Sequence, residues 1–186
     1  PFNTALGTSS FRLETTGQYN TAVGYSALEN QAGGTNNNVA VGFKAYEGVE
    51  GSTTGAQNTA VGTYSLMVNT TGGFNTAIGY EALDANTTGD NNVAVGAYAL
   101  TSSTSAGANV AIGRRACFST TTAGDVIAIG YQALYDNTTG PHNIAIGQNA
   151  LYNNTTAAFN IGIGRDALEA NETGTQNIAI GYDALT

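Results

Sequence analysis

Reactive side chains are scarce in this 186-residue chain, and the scarcity limits the chemistry open to it. There is one His, one Cys and no Trp. A single imidazole, His142, offers no multi-histidine metal site, and no acid and nucleophile are set around it as in a hydrolytic triad. Directly after Pro141, it reads as a solvated turn residue. Cys117 stands where sibling segments carry Leu, so it reads as a small core hydrophobe and not as a nucleophile. One cysteine also excludes an intrachain disulfide framework and a thiolate zinc site. Arg114-Arg115 is the only basic pair, a solvated face by default. Asp90, Asp125 and Asp136 are scattered and lack the Gly-Gly-x-Gly-x-Asp pattern of calcium-binding β-rolls. Catalysis needs a singular constellation, and none stands out. The expectation is no enzyme, no cofactor and no metal. One modification pattern does recur. Asn69, Asn86, Asn137, Asn154 and Asn171 each begin an Asn-x-Thr sequon, as does Asn153. Stacked on one edge, the first five would be a row of glycan acceptors. Asn and Thr are also ordinary turn formers, so the same residues have a purely structural reading.

The elements that position these residues follow from a repeat. Val, Ile or Leu followed by Gly recurs at Gly7, Gly24, Gly42, Gly62, Gly79, Gly96, Gly113, Gly130, Gly147, Gly164 and Gly181, at intervals of 17, 18 and 20 and then 17 throughout. Internal periodicity of this kind governs the whole fold. With each glycine as position 0, position −4 is Asn in every copy but one, where it is Val126. Position −3 is Thr, Val or Ile, position −2 is Ala or once Gly162, and position −1 is always aliphatic. Position +3 is Ala or Ser, and +4 is Leu in most copies. Near +7 to +10 most copies read Asn-Thr-Thr-Gly or a close variant. The two longer intervals place small insertions around Gly33-Gly34 and between Gly48 and Ser52, in turns.

Positions −3 to −1 alternate large, small, large, which describes a short β-strand. The Tyr-x-Ala-Leu stretch after the glycine has good helix formers and predicts a short helical turn in each rung. A 17-residue unit cannot bury its own apolar side chains, whereas stacked units can. The expected fold is therefore mainly β: a parallel β-solenoid, or β-roll, of eleven 17-residue rungs, with residues 1–186 forming one array. Rungs about 4.8 Å apart give a rod of roughly 50 Å. The expected core is a column of −1 aliphatics against the +4 leucines. Asn20, Asn38, Asn58, Asn75, Asn92, Asn109, Asn143, Asn160 and Asn177 should stack as an amide ladder, interrupted at Val126. The constant small residues Ala22, Ala40, Ala60, Ala77, Ala94, Ala111, Ala128, Ala145 and Ala179 suggest a face pressed against something, such as another chain. Neither end carries a distinct cap, so the array reads as an excerpt of a longer fibrous chain.

Asn-Thr-Ala-Val-Gly (20–24) and Asn-Ile-Ala-Ile-Gly (143–147) resemble the Ser-Val-Ala-Ile-Gly repeats in head domains of trimeric autotransporter adhesins. The full unit from Gly79 to Asn91 is similar to repeats in phage tail fibres and tail-fibre-like bacterial surface proteins. The first resemblance implies a left-handed parallel β-roll with three chains in one trunk; the second implies a shaft. This unit is longer than the adhesin repeat, and Tyr-x-Ala-Leu and Asn-Thr-Thr-Gly replace its shorter turns.

Thirteen acidic against five basic residues, a net charge of −8, argue against nucleic acid and anionic membrane surfaces. No apolar run is long enough for membrane insertion. The expected function is a rigid, non-enzymatic fibre segment, extracellular, on a cell surface or a virion, partnered by itself as a homotrimer or filament. A cell-surface glycan is a second expected partner, through Tyr and Phe at +1, +2 and +5. The alternative is a single-chain or filament-forming extracellular solenoid that binds glycan, ice or another surface through its repeated face. The stacked Thr pairs at +8 and +9 (Thr70-Thr71, Thr87-Thr88, Thr138-Thr139, Thr155-Thr156) motivate it.

Overall fold

The computed structural model describes residues 2–13 and 16–186, and these form a parallel β-solenoid. Its eleven strands are three residues each and occupy positions −3 to −1 of every unit, from β1 (Thr4–Leu6) through β2 (Thr21–Val23), β3 (Val39–Val41), β4 (Thr59–Val61), β5 (Thr76–Ile78) and β6 (Val93–Val95). The series continues with β7 (Val110–Ile112), β8 (Ile127–Ile129), β9 (Ile144–Ile146), β10 (Ile161–Ile163) and β11 (Ile178–Ile180). They pair in chain order as one parallel sheet, each residue aligned with its counterpart in the next unit, as in Ala77 with Ala94 and Ala94 with Ala111. The longer second and third intervals leave that register intact.

The expected helical turn does not form; the described residues contain no helix. Positions +2 and +4 take left-handed backbone instead, as at Tyr98 (φ 61°) and Leu100 (φ 52°), and a third such residue precedes each Asn, as at Asn91 (φ 60°). Left-handed backbone costs a non-glycine residue about 1–2 kcal/mol. What offsets it here is bonding between rungs. Tyr98 N–H donates to the Tyr80 carbonyl in the rung before, and Leu100 N–H donates to the Ala116 carbonyl in the rung after. A helical turn would close those bonds inside one rung and leave the stack unpaired.

The interior is narrow. Ala at −2 lines one wall, and Ala at +3 with Leu at +4 line the other; Ala94, Ala99 and Leu100 are all fully buried. Gly162 replaces the −2 alanine where a Cβ would stand 3.0 Å from the Ala167 carbonyl and 3.3 Å from Leu151. The expected core partner was wrong: the −1 aliphatics do not face the leucines. They point out of the coil, and the burial pattern along the strands is open, buried, open. Nothing larger than alanine opposes leucine across so thin a coil.

Asparagine at −4 ties each coil but one to its neighbours. The Oδ1 of each −4 asparagine accepts the backbone N–H of its counterpart in the next rung, as from Asn38 to Asn58 (2.8 Å) and from Asn75 to Asn92 (2.9 Å). Its Nδ2 crosses the coil to a turn carbonyl, as from Asn75 to Gly89 (2.8 Å). Val126 N–H still donates to Asn109 Oδ1 at 3.0 Å, but valine has no amide to pass the ladder on to Asn143. The longest unit is secured differently. Tyr46 fills its leucine position, and the phenol reaches the Gly55 carbonyl at 2.9 Å while accepting Nδ2–H from Asn69 at 2.9 Å and from Asn58 at 3.3 Å. Burial pushes that phenol up to about 12. Tyr46→Phe removes an internal acceptor and should lower stability by about 1–3 kcal/mol. Urea unfolding checks this, and an unchanged midpoint would remove the phenol from the structural account.

Candidate functional site

The outward side of the sheet is the most distinctive surface. Strand residues −3 and −1 of all eleven units comprise ten Ile, seven Val, one Leu and four Thr, with no charge among them. They stand partly open to solvent; Ile78 and Ile112 are 39% and 38% exposed. Position −5 lies outside the strands, and from Tyr19 onward its backbone is left-handed. It carries Phe2, Tyr19, Phe74 and Phe159, all more than half exposed. The two aliphatic columns alone cover roughly 50 Å by 10 Å at standard strand spacing, about 500 Å². A monomer's largest apolar patch is typically ~300–600 Å², and patches of that size are commonly functional. The alanines expected to form the contact face are instead inside: the nine named above are between 0% and 3% exposed in the single chain. Size alternation correctly separated two faces but assigned them the wrong way round.

The sequon asparagines at +7 are also interior. Asn69, Asn86, Asn137 and Asn154 are fully buried, and Asn171, in the tenth unit, is partly so. Asn86 Nδ2 donates to Asn69 Oδ1 (2.7 Å) and to the Gly89 carbonyl (3.1 Å); Asn154 does the same toward Asn137 (2.9 Å) and Ala157 (3.1 Å). Asn171 Nδ2 donates to Asn154 Oδ1 at 3.2 Å, and Asn137 Nδ2 to Gly140 at 3.1 Å. The atom a glycan would occupy is a donor inside the coil, so the acceptor row becomes a second amide ladder. In a sequon-reading host, peptide mapping of the folded chain should find Asn69, Asn86, Asn137 and Asn154 bare. Added sugar on Asn86 would contradict the packing.

A second surface runs along the turns. Tyr25, Phe43, Tyr64, Tyr80, Tyr98, Phe118, Tyr135 and Tyr152 form a continuous column with neighbouring ring centroids 4.9–6.4 Å apart. Arg115 lies 5.9 Å from the Tyr98 ring centroid and 5.7 Å from that of Phe118. These rings pack on the next rung. Phe118, Tyr135 and Tyr152 are stacked within 4° of parallel, so both faces of Tyr135 are covered and not open for a sugar to stack upon. Beside them Asp84 accepts Thr101 Oγ1 at 2.7 Å. Burial is the main cause that raises its carboxyl above the ordinary range, with Glu81 repulsion adding to it. A raised acid stabilises the fold below its usual value of 3.8 and loses that contribution as pH rises through the folded-state value. Asp84→Asn should therefore gain stability over the parent at pH 7, with the difference vanishing near pH 3. Paired thermal melts at the two pH values test it, and an equal gain at both would break the linkage.

The threonine columns divide. Thr70, Thr87, Thr104, Thr121, Thr138 and Thr155 at +8 donate Oγ1–H to the next rung's turn carbonyl, at 2.8–3.5 Å. Only +9 is a freely exposed row, including Thr71, Thr88, Thr139 and Thr156. One row, rather than two in register, faces solvent there. Cys117 lies buried in the leucine column with its thiol pushed up to about 12. His142 is stacked on Phe159 at 4.9 Å, with its Nδ1 4.0 Å from Asp125. Among the described residues no three His, Cys, Asp or Glu side chains gather as a metal site would need. Comparison with family models, curated proteins and solved structures finds no match to this chain.

Proposed function

We propose that this chain is a shaft segment of a homotrimeric extracellular fibre, such as a phage tail fibre or bacterial surface adhesin, and that it performs no catalysis. One observation carries the reading: a rod-shaped coil bears, along one side, an uncharged face of Ile, Val, Leu and Thr that is aliphatic at −1 in every rung. The fitting occupant is further copies of the same chain. A surface ridged at the spacing of a parallel ladder, about 4.8 Å, meshes along its length only with a surface of the same pitch. Copies that run in the same direction, as a fibre requires, close cyclically about the fibre axis, each turning one apolar face inward. The adhesin-like repeat implies three. The opposite edges stay outside, where the +9 hydroxyls and the acidic turns keep the shaft soluble and supply what surface contact it makes. Light scattering on a size-exclusion column tests the proposal: three chains per particle supports it, and a single chain at all concentrations counts against it.

A further inference from the structure

The aromatic column holds a site for covalent modification that is independent of how the chain assembles. Tyr135 and Tyr152 occupy the same +5 position in adjacent rungs, with ring centroids 4.9 Å apart and planes within 4°. Phe118 stacks on Tyr135 at 5.0 Å and 4°, which fixes the pair from one side. Both tyrosines are half-buried; the faces they turn to each other are covered while part of each ring meets solvent. The other tyrosine pairs differ: Tyr64–Tyr80 and Tyr80–Tyr98 meet edge to face, at 76° and 72°. Competing targets for oxidation are few. The chain has no Trp and one Met, and its one Cys is fully buried.

We propose that Tyr135 and Tyr152 are an intrachain dityrosine site, joined by a carbon–carbon bond between ring carbons ortho to the two phenol oxygens. The oxidant class is hydrogen peroxide acting through a haem peroxidase. Each phenol gives up one electron and its hydroxyl proton to the oxidant, leaving a phenoxyl radical. The unpaired electrons of the two radicals combine in the new ortho–ortho bond. Each ring then loses its ortho hydrogen as a proton and its oxygen gains one, which restores two phenols. Two electrons and two protons leave the chain in total, and peroxide is reduced to water. Parallel rings in register bring like ortho carbons opposite one another, whereas edge-to-face rings do not. The product clamps two consecutive rungs, so the shaft resists unwinding at that point.

Treatment of the folded chain with a haem peroxidase and hydrogen peroxide tests this. The expected product is one chain lighter by two hydrogen atoms, with blue dityrosine fluorescence. Peptide mapping should place the link between Tyr135 and Tyr152, at least about tenfold above any Tyr80–Tyr98 product. Tyr152→Phe should abolish that link with the circular dichroism unchanged, because Phe118 already occupies +5 in the same column. Three results would overturn the proposal: an even spread of links over all pairs, links only between chains, or the same yield and distribution in urea.

Discussion

Gly96→Ala should unfold the coil locally and lower stability by at least about 3 kcal/mol. Gly96 has φ +133°, and its counterparts in the other units lie between +131° and +141°. A side chain there is strained before any contact is counted. The contact is equally unfavourable: a Cβ on Gly96 would stand 2.7 Å from both the carbonyl carbon and oxygen of Gly113, and 3.1 Å from Arg114 N. These are backbone atoms of the next rung, so no rotamer change relieves them. The rung would have to separate, with loss of bonds such as Gly113 N–H to the Val95 carbonyl (2.8 Å). Each rung is held mainly by its neighbours, so a break at the sixth unit leaves two shorter arrays. Hydrogen exchange read by mass spectrometry should show lost protection centred on residues 93–116. Parent-like protection would mean that the glycine column is not what lets the rungs approach.

Ile112→Lys combined with Ile146→Lys should leave the coil folded and abolish its assembly. Both side chains point outward from alternate rungs, where the long lysine stems can lie along the sheet with their ammonium groups in water. In an assembled trunk the same ammonium groups would be desolvated against aliphatics with no acid in either strand column to pair them. A penalty of about 4 kcal/mol weakens association roughly a thousandfold. Ala94→Lys behaves differently. Ala94 is fully buried within its own chain, so a lysine there should prevent the coil from forming. The contrast separates folding from assembly: the double lysine variant keeps its circular dichroism and loses mass, while the Ala94 variant loses both.

Much of this was legible in the residues. Eleven copies act as an internal alignment, so the strand at −3 to −1, the parallel stacking and the gap that Val126 leaves in the amide ladder could all be read from spacing and residue type. The side of the sheet that faces inward could not. An uncharged column of Val and Ile looks like a core whether a coil's own interior or another surface covers it, and only the coil's thickness decides, by admitting Ala22 or Ala94 opposite leucine and nothing larger. The turn after each glycine misled for a related reason. Tyr-x-Ala-Leu carries helical propensity, but hydrogen bonds between rungs, invisible in a single unit, hold Tyr98 and Leu100 in left-handed backbone. The sequons at Asn86 and Asn154 gave surface chemistry to residues whose amides close the coil from within. Tyr46 left a signal that could have been used: it replaces leucine in the longest unit, where the interior has an extra polar corner to fill.

In the proposed fibre the outward aliphatic face joins copies of this chain. The most direct test of that contact is the native mass of the folded parent beside that of the Ile112→Lys, Ile146→Lys variant, by light scattering at matched concentrations. Assembly through that face gives three times 18.9 kDa for the parent and 18.9 kDa for the variant, with equal circular dichroism. A parent that runs as a single chain, or a variant that assembles as the parent does, would contradict it.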